Sequence, residues 1–259
     1  MASNVRVNSL ITESISDKTA EQVPLQIRSK INYSATDFIL HGGVTTITKD
    51  ILSKAEMFLS GDQKIYPLIS VLGDKRSGKS HYSIYLEDKF SNLDFSSVFY
   101  SEGKSFASFL EKGVFRVDEG GNQGSIIVVD DADEYLDSLS VGDSGPLVDL
   151  LEHLKVAGGF LLLIRSKPLH SYRFDEHLTS RFQSGIEYCI EHPQRSEILS
   201  LTKFLMKQRG VHLTDRKLAF LSKRLPATVA EIESYVERSF RMHEITGAKM
   251  SFPVLARAL

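Results

Sequence analysis

Short apolar runs recur along the chain, separated by stretches with helical or loop-like spacing. Residues 66–72, 97–100, 125–129, 160–164 and 185–190 read as strands. The middle runs are near-continuous in Ile, Val, Leu and Phe, the pattern of strands covered on both faces. Between them, residues 79–90, 105–112, 146–156 and 175–181 carry helical spacing, and a further helix is expected near 48–59. Five strands alternating with helices predict an α/β fold with a parallel sheet. After His192-Pro193 the period changes. Ile198, Leu201 and Leu205 share one helical stripe, Leu218, Leu221 and Leu225 a second, and Ile232, Tyr235, Val236 and Phe240 a third. Gly210 and Pro226 punctuate them, so a small all-helical unit is expected to follow the sheet. Residues 1–20 are polar and aperiodic and read as a disordered tail. The expected division is a tail over 1–32, an α/β domain over 33–191 and a helical domain over 192–259.

Composition adds little to that picture, since 42% apolar and 25% charged residues over 259 positions describe an ordinary globular chain. Charge distribution says more. Residues 192–259 carry 12 Lys and Arg against 6 Asp and Glu, leaving 19 against 27 before them. An acidic first part joined to a basic second part suggests two differently surfaced units. Cys189 is the sole cysteine, which excludes an intrachain disulfide and a cysteine zinc cluster and fits a reducing compartment. No apolar run approaches a membrane span, and the first residues lack a secretory pattern. Glu13 and Asp17 weigh against a transit peptide, so the cytoplasm is the default location.

The sharpest chemical signal is Gly73-Asp74-Lys75-Arg76-Ser77-Gly78-Lys79-Ser80, a full match to G-x-x-x-x-G-K-S/T between an expected strand and an expected helix. Gly73 and Gly78 permit the tight turn that lets successive backbone amides converge on phosphate oxygens. The N-terminus of the following helix adds partial positive charge. Lys79 is placed to neutralise β- and γ-phosphates, and the Ser80 hydroxyl to ligate Mg²⁺. Such a site also needs a carboxylate at the end of a buried strand. The run 125–129 leads into Asp130 and Asp131, which supplies it. Asp130 is expected on the metal side, and Asp131 is placed to orient or deprotonate an attacking water. An acidic turn after a strand, with Asp133 and Glu134 following, is the plainer reading of the same residues.

Three further stretches resemble the DnaA/Hda group of the AAA+ family, over about residues 37–259. The first is Asp37-Phe38-Ile39-Leu40-His41-Gly42, similar to the D-F-I/V-V-G segment that enters the nucleotide site. The second is the G-K-S-H form at Gly78-Lys79-Ser80-His81. The third is Thr179-Ser180-Arg181-Phe182-Gln183-Ser184-Gly185, followed by Pro193, Arg195, Ile198-Leu199 and Lys223-Arg224-Leu225. The resemblance implies a P-loop NTPase core of AAA+ type, with a five-stranded parallel sheet of order 5-1-4-3-2 followed by a small all-helical lid. ATP or ADP with Mg²⁺ would lie between core and lid, touching Ile39 and residues 73–80. Arg181 matches the arginine finger that reaches a neighbouring subunit's nucleotide. An ion pair with Asp175 or Glu176 is the alternative reading of that arginine.

The chain also departs from the group. Arg165-Ser166 stands where the first sensor normally is, leaving the Ser166 hydroxyl as the candidate sensor. Ala230, in Val229-Ala230-Glu231-Ile232-Glu233, replaces the lid's sensor arginine and cannot touch phosphate. That substitution puts nucleotide switching and hydrolysis in cis in doubt. Leu259 follows the lid directly, and the short 102–124 stretch leaves little room for the initiator's helical insertion. Both favour an Hda-type regulatory homologue. That homologue carries a peptide that docks on the DNA polymerase sliding clamp, and Gln22-Val23-Pro24-Leu25-Gln26-Ile27 is similar, with Gln22, Pro24, Leu25 and Ile27 as its contacts. An ordinary apolar linker is the alternative.

The expected partners are therefore the initiator DnaA and the sliding clamp, with a homo-oligomer left open and no membrane. The basic residues Lys203, Lys207, Arg209, Arg216, Lys217 and Arg224 read either as solvated helix faces or as a nucleic-acid patch. An ATP-driven helicase loader that oligomerises on DNA is the rival function. The eight histidines form no H-E-x-x-H motif, and His81 reads as a helix-packing residue.

Overall fold

The computed structural model describes residues 34–61, 65–113, 124–140, 142–247 and 249–259. The tail and the 22–27 peptide, with Gln22, Pro24, Leu25 and Ile27, lie outside the described residues. Five strands form one parallel sheet: β1 (Leu68–Leu72), β2 (Ser97–Glu102), β3 (Ser125–Asp130), β4 (Phe160–Arg165) and β5 (Ile186–Cys189). Their order is β2-β3-β4-β1-β5, which is the order expected from the resemblance. β1 begins two residues later than its apolar run because Pro67 has no amide to give the ladder. Its carbonyl still accepts from the Leu161 amide at 2.9 Å.

Helices cover both faces, as the continuous apolar strands require. On one face lie α1 (Gly42–Leu59) and α2 (Lys79–Phe90), and on the other α3 (Gly103–Lys112), α4 (Asp133–Ser138), α5 (Gly145–Ala157) and α6 (Glu176–Ser184). Alternate residues of each central strand serve the two layers. Ile127, Leu161 and Leu163 pack with α3 to α6, while Ile126, Leu162 and Ile164 pack with α1 and α2. Phe160 anchors the second layer, stacked on Phe58 at 5.0 Å between ring centres and met edge-on by Phe90 at 5.5 Å.

The helix α1 starts at Gly42, six residues before the expected 48–59 segment. Gly42-Gly43 followed by β-branched residues is a poor local start, and distant groups overcome it. The Nδ1 of His41 accepts from the Gly43 amide at 3.2 Å. Glu197 accepts the Gly42 amide at 2.6 Å and the Gln194 amide at 2.7 Å, placing a carboxylate at the positive end of α1. The same side chain therefore ties the core to the start of the helical segment that follows.

That segment comprises α7 (Ile198–Gln208), α8 (Asp215–Ser222), α9 (Val229–Thr246) and α10 (Phe252–Arg257). The three stripes read from the sequence converge on their own apolar cluster, which includes Ile198, Leu221, Ile232 and Tyr235. Phe240 is an exception: it is half-buried, with its ring beside His243. The fourth helix, α10, carries Leu255 into the cluster and was not expected. Ile39 of the core also packs here, so core and helical lid share a boundary. Among the described residues, no helix is long and apolar enough to cross a membrane.

Phe160→Ala removes a fully buried ring from the centre of the α1–α2 layer. It is expected to cost about 3–5 kcal/mol in denaturant unfolding.

Candidate functional site

The segment 73–80 turns from the carboxyl end of β1 into α2, the crevice where ligands bind in open parallel sheets. The Gly73 amide is held by the Arg165 carbonyl of β4 at 3.0 Å, and the Ser77 amide by the Asp74 carbonyl at 3.2 Å. Gly78 has φ +91° at the N-cap of α2, a conformation glycine adopts without strain. No side chain caps that helix start. The first-turn amides of a helix have no intrahelical acceptor, so an anion is their natural partner. Lys79 is buried, and its ammonium donates to the Asp74 carbonyl at 2.7 Å. Burial pulls its pKa down, opposed by the negative field of Asp131, Asp133, Asp130 and Asp74. A buried lysine facing these carboxylates, at the mouth of an uncapped helix, fits a polyphosphate. Lys75 and Asp74 are exposed on the outer side of the loop, and Ser77 has a buried hydroxyl without a hydrogen-bond partner.

Asp130 closes β3 and is buried. The Tyr100 hydroxyl donates to its Oδ2 at 3.3 Å, while its Oδ1 is buried without a partner. Burial pushes the Asp130 pKa up, against the opposing influence of the adjacent Ser80 hydroxyl. Burial also raises Tyr100, to about 12, so it stays a neutral donor. An orphaned carboxylate oxygen beside a serine hydroxyl matches the donor set that hard magnesium takes in phosphate-loop sites. Asp131 follows in the left-handed region, with φ 46°. The only other non-glycine with positive φ among the described residues is Arg76, at 62°. Each such conformation costs about 1–2 kcal/mol. Strain of this kind gathers at functional sites, and here both instances border one crevice. Gly103 makes room for the turn after β3, since a Cβ there would stand 2.1 Å from the Asp131 carbonyl oxygen.

The remaining sequence candidates fall in three places. Ile39 lies at the core–lid boundary described above. Ser166 follows β4, and its backbone amide donates to Asp133 Oδ2 at 2.7 Å. Asp133 also accepts the Lys167 amide at 2.9 Å and the Tyr172 hydroxyl at 2.6 Å. Asp133 is thus an organiser that the sequence showed only as part of an acidic turn. Arg165 is fully buried and reaches across to Glu187 of β5 at 2.5 Å, with the Lys167 carbonyl as a second acceptor. Arg181 sits on α6 and pairs with neither Asp175 nor Glu176. Its partner is Glu152 of α5, at 3.3 Å, which also accepts from Tyr66 just before β1. Asp175 instead caps α6, accepting from the Leu178 amide at 2.8 Å. Arg181 therefore lies at the opposite end of five-residue β1 from the phosphate loop, about 16 Å away at the usual strand rise. His81 packs edge-on against Phe38 and meets the Ser34 carbonyl at 2.8 Å.

Among solved structures, the chain is similar to domain III of the replication initiation protein DnaA from Thermotoga maritima. The TM-score is 0.63 at 18% identity, covering 88% of this chain and 95% of that one. A replication initiator DnaA bound to AMPPCP and single-stranded DNA follows, at TM-score 0.61 and 19% identity over 87% of this chain and 67% of that one. A point variant of RuvB from Thermotoga maritima matches at 0.58 and 14%, over 87% and 71%. These likenesses establish the fold alone: a five-stranded parallel sheet with flanking helices, of the AAA+ P-loop type seen in those DnaA and RuvB structures. No family profile matches the sequence, and no characterised protein matches it by sequence.

Burial opposes ionisation of Asp133, but the Tyr172 hydroxyl and the amides of Ser166 and Lys167 outweigh it and hold its pKa below the ordinary value. A depressed carboxylate adds stability above its unfolded pKa and loses it as pH falls towards the folded value. Asp133→Ala is expected to cost about 2–3 kcal/mol at neutral pH, from the lost charged hydrogen bonds. Unfolding curves should show that difference shrinking as pH drops through the aspartate range.

Proposed function

We propose that this chain is a regulatory nucleotide-binding protein of the DnaA/Hda kind, holding ATP or ADP in the crevice over residues 73–80. The observation that carries the reading is the juxtaposition of the uncapped α2 terminus and buried Lys79 with the unpartnered Oδ1 of Asp130. In this reading the loop amides and Lys79 bind and orient the phosphates, with Ile39 beside the nucleoside at the lid boundary. Ser80 and Asp130 would hold Mg²⁺, which when bound shields phosphate charge. Asp131 would position water at the outer edge, and the Ser166 hydroxyl would face the same space from the loop that Asp133 fixes.

The working arginine is proposed to act in trans. Arg181 lies a strand's length from its own phosphate loop and is exposed enough to exchange Glu152 for a phosphoryl group on a neighbour. A guanidinium fork suits that exchange, because its donors match carboxylate and phosphate alike. With the 22–27 peptide docked on a sliding clamp, Arg181 would stimulate ATP hydrolysis by the initiator DnaA and so repress re-initiation of replication in the cytoplasm. The uncharged Ala230 fits a chain whose own turnover is weak.

The test is a reconstituted assay of initiator ATP hydrolysis on clamp-loaded DNA. Arg181→Ala is expected to abolish the stimulation, by at least about 100-fold, while leaving nucleotide binding by the variant intact. Full stimulation by Arg181→Ala would overturn the trans role. Loss of stimulation on changing Gln22 and Leu25, with the ATPase core unaltered, would separately support the clamp contact.

A further inference from the structure

Glycine at position 76 would meet the left-handed backbone requirement freely, so the arginine side chain needs its own explanation. Its guanidinium leaves the phosphate loop and crosses to α9. Nε and Nη2 donate to Glu233 Oε2 at 3.3 and 3.2 Å, and Nη1 donates to the Ser234 hydroxyl at 2.8 Å. These partners lie 157 and 158 positions further along the chain, about a turn past Ala230. Three bonds from one guanidinium therefore join the loop directly to the lid. The Glu233 side chain is 23% exposed and that of Arg76 49%, so the pair is only partly open to water. A planar fork engaging two partners is also geometrically more selective than a lone surface ion pair.

We propose that Glu233 and Ser234 are positioning residues of the polyphosphate site: acting through Arg76, they hold the lid on the phosphate loop and set how long a nucleoside di- or triphosphate stays bound. The proposal rests on the nucleotide reading above. Protein groups alone make the clasp, so it closes alike over either nucleotide. Ala230 adds no cation to that turn of α9 that would favour the third phosphate.

Stopped-flow release of fluorescent ADP and ATP from the full chain, with magnesium, tests it. Glu233→Ala should speed release roughly five- to tenfold, by the same factor for both nucleotides. Glu233→Gln, which keeps an acceptor, should restore part of the slow release. Arg76→Gly should release at least as fast as Glu233→Ala, and combining the two should add nothing further. Unchanged release from Glu233→Ala, or multiplying effects in the double variant, would overturn the clasp while leaving nucleotide binding intact. A wild-type chain that binds neither nucleotide would overturn the functional reading and the clasp together. Thermal unfolding without nucleotide should be nearly unchanged in Glu233→Gln; a large drop would assign the contact to folding alone and overturn its positioning role.

Discussion

Everything at the site depends on how the chain turns between β1 and α2. The backbone leaves a buried strand, passes through Gly73 and Gly78, and delivers a helix whose first amides have no capping side chain. That terminus is an electrostatic demand for an anion. Lys79 adds a second polar group, whose pKa burial pulls down against the raising influence of four aspartates. Across the crevice, Asp130 is buried with one oxygen unpartnered, which a carboxylate tolerates only with some other compensation. The protein alone leaves this crevice electrically unfinished, and the proposed magnesium polyphosphate is a group that would complete it.

The sheet is what makes the turn possible. β1 lies between β4 and β5, and β3 lies beyond β4, so the loops after β1, β3 and β4 all open on one end. Those loops carry or adjoin residues 73–80, Asp130-Asp131 and Ser166. Arg165 and Glu187 brace β4 against β5 over that same end, while Asp133 fixes the loop after β4. The helical segment meets the core through Ile39, Glu197 and Arg76, which lie far apart in sequence and each join the two parts.

How much of this could be read beforehand depends on whether the signal was local. All five strands were legible because continuous apolar runs bounded by polar residues have few other uses. The position of residues 73–80 between β1 and α2, and of Asp130 at the end of β3, was legible for the same reason, since each adjoins a contiguous apolar run. The start of α1 was not, because Gly42-Gly43 opposes a helix and the compensating Glu197 lies 155 positions away. Helices α4 and α10, with six residues each, are too short to show a period. Arg165 read only as part of a departure at the first-sensor position, and its role as a buried brace to Glu187 had no local signal. Arg181 has an ion pair, as one reading allowed, but with a residue of another helix. The Arg76 contact with α9 had no local signature, although an arginine within a glycine-rich turn is itself a departure from the cheapest backbone choice.

The central claim is that residues 73–80, with Asp130 opposite, bind a magnesium polyphosphate. Calorimetric titration of the purified chain with ADP and ATP, with and without magnesium, measures this directly. Saturable, magnesium-strengthened binding that disappears in Lys79→Ala is the expected result. Absence of binding by the wild-type chain at millimolar nucleotide, or binding indifferent to Lys79→Ala, would contradict it.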